Sequence, residues 1–473
     1  MIRGQQDMGH DNPLRTEKIS RLIIRFAVPS IIAMLIIACY NIVDQLFIGN
    51  VIGPLGNAAT NIVFPMTNAC LALGLCFGTG GASAFNLKQG EGDSDSAAYY
   101  FGNAVASLLL SGIILAAVIE TFMNPMLRMF GAPDTVMPYA RDYARILAIG
   151  LPFTILGSGA GHLLRADGRP NLTMACNLTG CIINIGLDAW FIVGLGWGMK
   201  GAALATIIGQ ISSGILCIVF LSRCRTFRLQ FKHMIPKLRY FGRDFKLGLA
   251  ALLNQLTLMV VQIVMNNILN YQGAQSIYGA EIPIASAGII MKVSSIFSSV
   301  VIGLSQGNQP IASYNYGAKN YRRVKESFIR VLMYGGAISI VAFAVFQIFP
   351  AQILSLFGKG NDLYIEFGSL YFRRYLFMVW LFFVQPITSN TFTAIGKPYK
   401  GIFLSLTRQV IYFIPIVLIF SGLWGINGVM FAQPAADILS ILTTFVMIGI
   451  ESRAPEFRNE KGVLREILSG SRD

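Results

Sequence analysis

Hydrophobic positions in this chain neither alternate nor repeat as a narrow helical stripe. They gather into runs long enough to carry a helix across about 30 Å of hydrocarbon. Twelve such runs can be marked, at 22–48, 57–86, 98–123, 139–163, 170–195, 199–221, 247–270, 284–314, 327–348, 364–392, 400–421 and 425–450. The pattern predicts an all-α polytopic membrane protein with twelve transmembrane helices. Composition agrees: of 473 residues, 54% are hydrophobic and 13% charged, against about 25% charged in a soluble domain. An ordinary water-soluble enzyme, a disordered chain and a collagen-like chain are excluded.

The net charge of +14 would suggest nucleic acid in a soluble protein, but its placement gives it another meaning. Of the Lys and Arg residues, 27 fall in the segments on the side of the termini and 3 (Arg128, Lys200, Lys359) in the opposite loops. The positive-inside rule then predicts cytoplasmic termini, and the excess charge reads as topology with attraction to anionic lipid; no nucleic-acid partner is expected. The predicted organisation is a cytoplasmic segment 1–21, an N-lobe 22–221, a basic cytoplasmic linker 222–246, a C-lobe 247–450 and a cytoplasmic tail 451–473. Met1–Ser20 contains Asp7, Asp11 and Glu17 and lacks the apolar core of a cleavable signal, so the first span is expected to direct insertion. The seven cysteines, all in or beside apolar runs and without a CxxC pair, read as packing residues.

An internal repeat divides the spans in two. Gly168-Arg169-Pro170 returns as Gly396-Lys397-Pro398, Trp197-Gly198-x2-Gly201 as Trp424-Gly425-x2-Gly428, and Gly74-Leu75-x2-Gly78 as Gly303-Leu304-x2-Gly307. The offset stays between 227 and 229. Six helices per half keep both halves in one orientation, related by an axis along the membrane normal, a plan by which transporters build a central cavity.

Acids inside apolar spans are costly and therefore candidates for function. They are Asp44, Glu120, Asp188, Glu366 and Asp437. Asp44 and Asp188 stand apart by their company. Asn177, Asn184 and Asp188 share one face of the fifth span, Asn41 and Asp44 share one face of the first, and the sixth carries Thr206. Counting from the helix ends at 1.5 Å per residue brings Asp44, Asp188 and Thr206 to similar depth. Such oxygens suit Na⁺ or a proton shared between the acids; the bland alternative is that the acids only bond neighbouring Asn and Thr to hold helices together. Pro29 either lets the first helix bend or marks a static kink.

Taken together, the residues resemble the multidrug and toxic compound extrusion (MATE) family over roughly residues 15 to 450. The resemblance rests on the two-fold repeat, Pro29 and Asp44, Asn184-x3-Asp188, Thr206, Gly303-Leu304-Ser305-Gln306-Gly307-Asn308-Gln309-Pro310-Ile311 and Tyr314-Asn315-Tyr316-Gly317-Ala318. The Gln-Gly-x-Gln-Pro-Ile run is similar to bacterial members of the MepA-like branch. The resemblance implies a cation-coupled antiporter in a bacterial inner membrane that exports amphipathic organic cations or drugs through a cleft between two lobes. It also implies an N-lobe cation site at Asp44, Asn184, Asp188 and Thr206, with the backbone carbonyl of Ala202 as a further ligand. Some branches carry an acid in the seventh helix, whereas Asn254-Gln255-Leu256-Thr257-Leu258 has none, which argues against coupling through the C-lobe there.

Asn41, Asn177, Gln306 and Gln309 are candidate cleft-lining residues, although the two glutamines equally fit amides satisfying a backbone broken at Pro310. Asp437 aligns with Gln210 in the repeat, as a polar contact or a buried structural acid. Arg373, Arg374 and Arg408 fit snorkelling anchors at helix ends. No phosphate loop or HExxH motif occurs, so no enzyme activity and no cofactor beyond the coupling ion is expected, and the chain is expected to act as a monomer. The alternative within transport is a lipid-linked precursor flippase, against which stands the scarcity of cationic residues in the spans. An intramembrane aspartyl enzyme built on Asp44 and Asp188 fits the flanking Asn184 and Thr206 less well.

Overall fold

The computed structural model of the chain describes residues 12–227, 229–279, 281–357, 362–457 and 463–468. Helices α1 (Ile19–Phe47), α2 (Pro54–Gly90), α3 (Ser94–Met129), α4 (Met137–Ala166), α5 (Pro170–Asp188) and α6 (Gly198–Ser222) form the first half. Single π turns extend α1 through Ile48–Ile52 and α5 through Ala189–Gly194. The second half has α7 (Leu238–Ala274), α8 (Glu281–Gly317) and α9 (Tyr321–Ile348), then α10 in two pieces, Asp362–Leu381 and Val384–Ala394, bent by 42°.

The last helical run, Pro398–Ser452, is 55 residues long, roughly 80 Å if straight and far more than one bilayer crossing. It is two spans. Gly425 has non-helical dihedrals (φ 59°, ψ −137°), and a Cβ placed on Gly428 would lie 1.9 Å from the carbonyl oxygen of Phe420, so the chain folds back on itself at Gly425. We call the part before Gly425 α11 and the part after it α12; α11 contains a third π turn, Thr407–Phe413. The described residues thus hold twelve membrane helices and no strand.

The repeat seen in the sequence is a repeat of backbone shape. Gly198 and Gly425 both have positive φ (54° and 59°), as do Gly168 and Gly396 (80° and 78°) and Gly92 and Lys319 (84° and 57°). In the Gly-basic-Pro motif the glycine stops one helix and the proline starts the next. Gly168 and Arg169 donate back to Arg165 and Leu164, and Gly396 and Lys397 donate back to Thr393 and Phe392 in the same way. The third helix of each half opens on an equivalent cap: Asp93 accepts from the Ser96 N–H and Asn320 from the Arg323 N–H. Even a helix–helix tie is repeated with its partners exchanged. Thr173 of α5 donates to the Gly161 carbonyl of α4 at 3.0 Å, whereas Ser389 of α10 donates to the Gly401 carbonyl of α11 at 2.9 Å.

One apolar core fills α2–α6 with the outer part of α1 and takes in Phe245 at the start of α7; a second fills α7 from Val261 on and α8–α12, together with Leu14 to Ala27 at the start of the chain. The first half of α1 therefore packs in the C-lobe, with Ala27 and Ile31 lying on Gly307 and Gly303 of α8. Reciprocally, the start of α7 lies on α2, where Gly80 meets Asp244 and Gly248 meets Cys76 with backbones in contact. At the end that holds the termini, α2 and α8 touch across the pseudo-two-fold axis: Gly90 lies on the carbonyl of Tyr314 and Gly317 on that of Leu87. Toward the opposite end, Gln255 donates to Asn68 at 2.8 Å near the middle of α7 and α2. The close backbone approaches of α2 to α7 and α8 all lie toward the terminal end, where the lobes are closed.

Candidate functional site

Asp44 on α1, Asn184 and Asp188 on α5 and Thr206 on α6 come together inside the N-lobe. Counted along their helices from Ile52, Gly194 and Gly198, Asp44, Asp188 and Thr206 sit within about 9–12 Å of the end opposite the termini. Asp188 is 0% exposed, and Asp44, Asn184 and Thr206 are buried. The Asp44 and Asp188 carboxyls are close enough to act on one another electrostatically. Two ionised carboxylates at that separation repel strongly in a medium of low dielectric, so the pair requires a proton or a cation between its oxygens.

Asn184 fixes one side of the pair. With its amide nitrogen toward Asp188 it donates to Oδ2 at 3.2 Å, while its oxygen accepts the backbone N–H of Thr206 at 3.1 Å. In a regular helix that N–H points to the carbonyl of Ala202; sharing it with Asn184 leaves the Ala202 carbonyl free acceptor capacity next to the site. Three buried oxygens, Asp44 Oδ1, Asp188 Oδ1 and Thr206 Oγ1, have no hydrogen-bond partner. Orphaned oxygens on two acids and a hydroxyl form a donor set for a hard monovalent cation or a proton. Groups of three or more His, Cys, Asp or Glu suited to a transition metal are absent among the described residues. π turns follow both acids, directly after Asp188 and one turn after Asp44, and such turns concentrate at functional positions.

Two phenols lie near the site and escape the sequence reading. Tyr40 and Tyr143 are close enough to the acid pair to act on it electrostatically. Tyr40 stands one turn before Asp44 on the same face, a spacing that marks it in retrospect. Tyr143 arrives on α4, which supplies no acid, and only the packing of α4 against α6 brings it in.

The remaining candidates scatter. Asn41 is exposed and Asn177 half-buried, and the hydrogen bonds around the acid pair involve neither. α1 runs as unbroken helix through Pro29. α8 likewise runs unbroken through Pro310, so the expected broken backbone is absent there. Gln309 instead ties the lobes, donating to the Thr79 carbonyl at 3.0 Å and to Ser83 Oγ at 2.9 Å, with His162 of α4 at 3.4 Å. Gln306 is buried beside it. Glu120 faces outward with Arg145 at 3.8 Å, and Glu366 is exposed.

Arg408 is no anchor at a helix end. It is half-buried in the C-lobe, its Nε 3.0 Å from Asp437 Oδ1 and its guanidinium 4.4 Å from the centre of the Phe382 ring. Gln433 donates to the same Asp437 oxygen at 2.9 Å. Asp437 is thus neutralised within its own lobe, unlike Asp44 and Asp188.

A bundle of twelve apolar helices in two repeated lobes, shut at one end, with an acid pair buried inside one lobe, has the plan of a membrane transporter. The family model described as MatE matches residues 29–190 and 250–419. The chain belongs to that family, the multidrug and toxic compound extrusion transporters that its motifs resemble, and is a membrane transporter rather than an enzyme. It is 26% identical over 437 residues to the multidrug export protein MepA of Staphylococcus haemolyticus (strain JCSC1435), covering 92% of this chain and 94% of that one. With MepA of Staphylococcus aureus (strain MSSA476) it shares 24% over 430 residues, covering 90% and 93%. Among solved structures, a MATE transporter in complex with MaL6 superposes with a TM-score of 0.87 at 21% identity, over 93% of this chain and 98% of that one. An outward-facing multidrug resistance MATE transporter of the MOP superfamily gives the same values.

Proposed function

We propose that the protein exports amphipathic organic cations or drugs from a bacterial cell in exchange for inward Na⁺ or H⁺, bound at Asp44 and Asp188 with Asn184, Thr206 and the Ala202 carbonyl. The observation that carries this reading is the sealed acid pair with orphaned oxygens, in a chain similar over nine-tenths of its length to proteins named as multidrug exporters. The termini and the basic linker face the cytoplasm in this reading, in keeping with the excess of Lys and Arg on that side. The protein acts as a monomer.

The acids drive the cycle by differential affinity. With the lobes parted on the outside, Na⁺ or H⁺ enters between Asp44 and Asp188 and removes their repulsion. The change is felt along α1, whose outer half belongs to the N-lobe core and whose inner half belongs to the C-lobe core. Pro29, between those halves, lacks the N–H that would stiffen the helix there, so α1 bends at it when the pair fills or empties. Cargo and ion favour different states, and each expels the other through the shared equilibrium. Asn41, Asn177, Gln306 and Gln309 line the cleft when the lobes rearrange.

Proteoliposomes loaded with a fluorescent organic cation test the reading under an imposed Na⁺ or pH gradient. Gradient-driven transport is expected for the natural sequence and its loss in Asp44→Asn and Asp188→Asn, with an unchanged size-exclusion profile. Variants as active as the parent would overturn the coupling site, and a parent inactive under both gradients would turn attention to a lipid flippase.

A further inference from the structure

The coupling site leaves one buried carboxyl unused. Asp244, near the start of α7, is 0% exposed, and neither of its side-chain oxygens has a hydrogen-bond partner. Its position is not incidental to the closed end. A Cβ on Gly80 of α2 would fall 1.9 Å from the Asp244 backbone carbonyl, and one turn further a Cβ on Gly248 would fall 1.8 Å from that of Cys76. Asp244 is therefore shut into the crossing by which α7 of the second lobe closes on α2 of the first.

Little around it offsets a charge. Arg243, next in the chain, acts on it electrostatically, but its guanidinium lies over the Tyr100 ring of α3 at 5.6 Å. From α2 the titratable neighbour is the Cys76 thiol, which points to the Phe245 carbonyl at 3.9 Å. From α3 come the phenols Tyr99 and Tyr100, packed on Tyr240 of α7. The charged residues of α8, Glu281 and Lys292, lie at least 35 Å or so along that helix from the closed end. The inner piece of α10, Val384–Ala394, has no charged residue. On α11, Lys400 is held by Glu451 of α12, and Arg408 by Asp437.

We infer that Asp244 is a proton-binding site that opens and closes with the lobe interface. An ionised carboxylate without a donor cannot be buried cheaply, so the closed crossing holds the neutral acid. Parting α7 from α2 wets the group and lets its proton go. Closure takes one proton from the water on the terminal side, and opening returns it to the same water; acid favours the closed end and alkali the open one. The inference rests on the alternating-access reading above but not on its coupling ion. With cytoplasmic termini this proton never crosses the membrane, so Asp244 sets how readily the cycle reaches its inward-open state as internal pH changes.

Spin labels at Glu91→Cys and Lys319→Cys, exposed positions on opposite lobes at the closed end, measure its opening in the full chain with the seven native cysteines replaced. Between about pH 6 and about pH 8.5, the short-distance population is expected to fall at least threefold. The fall should persist in Asp44→Asn with Asp188→Asn and vanish in Asp244→Asn. Asp244→Ser, smaller and equally neutral, repeats the test where the Asn variant fails to fold. A pH-independent parent, or a response untouched in both Asp244 variants, would overturn the assignment. Failure of the transport reading would appear instead in the efflux assay, with the distance response intact.

Discussion

Gly90 and Gly317 are counterparts in the two halves, and each lies against the other's helix. A Cβ on either would sit 2.1 Å from a backbone carbonyl oxygen, that of Tyr314 or of Leu87. The contact between the lobes at this end is thus made of main chain, and neither side has a flexible group that can yield. Gly90→Val or Gly317→Val is expected to prevent closure. Spin-label distances across the closed end should lengthen, and drug efflux should fall by roughly tenfold or more as the outward-open state is depopulated. Unchanged distances would mean that the helices separate for another reason or not at all.

Asn184 orients the acid pair without carrying charge. Asn184→Ala removes the donor to Asp188 and the acceptor for the Thr206 N–H. Losing a group that orients the side chains holding an ion typically costs about 10–100-fold in ion affinity. The Na⁺ concentration or pH giving half-maximal efflux should shift by that factor, with the maximal rate less affected. A fall in maximal rate alone would make Asn184 a packing residue.

Tyr40 and Tyr143 test whether the phenols belong to the site. Each hydroxyl is expected to contribute about 0.5–1.5 kcal/mol through hydrogen bonding, so Tyr40→Phe or Tyr143→Phe should weaken ion binding about two- to tenfold. If both phenols act through Thr206, either effect should shrink in a Thr206→Val background. Additive losses in that double-mutant cycle would place the phenols' action elsewhere.

The Arg408–Asp437 pair predicts a contrast in stability. Removing one partner leaves an uncompensated charge in the C-lobe, at a cost of about 3–5 kcal/mol. Arg408→Leu and Asp437→Leu should each lower the thermal unfolding midpoint in detergent, and the double variant should recover most of the loss. A double variant no better than the singles would show that Arg408 acts through Phe382 rather than through the acid.

Much of this architecture is legible in the chain because lipid forces it to be. Backbone groups in hydrocarbon must bond within their own helix, which requires long apolar runs, and the Gly-basic-Pro motif writes a helix stop and start side by side. The same logic brings Asp44, Asp188 and Thr206 to one depth. It does not reach the break in α10, where residues 376–383 are apolar and contain no proline, so neighbouring helices rather than a local residue set the bend. Nor does it reach the start of α7: Leu238 opens the helix within the stretch read as a linker, since a packed helix can continue past the edge of its apolar run. Arg408 reads as an anchor for a related reason. Its partner Asp437 lies 29 residues on, and only the hairpin at Gly425 brings them together.

The exchanged tie between Thr173–Gly161 and Ser389–Gly401 has a consequence for how the halves can be recombined. One half keeps its hydroxyl on the later helix and its glycine on the earlier; the other reverses them. A chimera joining α4 of the first half to the α11 of the second would set two glycines face to face and lose the bond. The reciprocal chimera would crowd Ser389 against Thr173 where one side must be bare. The two halves are alike in shape yet not interchangeable as parts, and any shuffled transporter must move these helices as matched pairs.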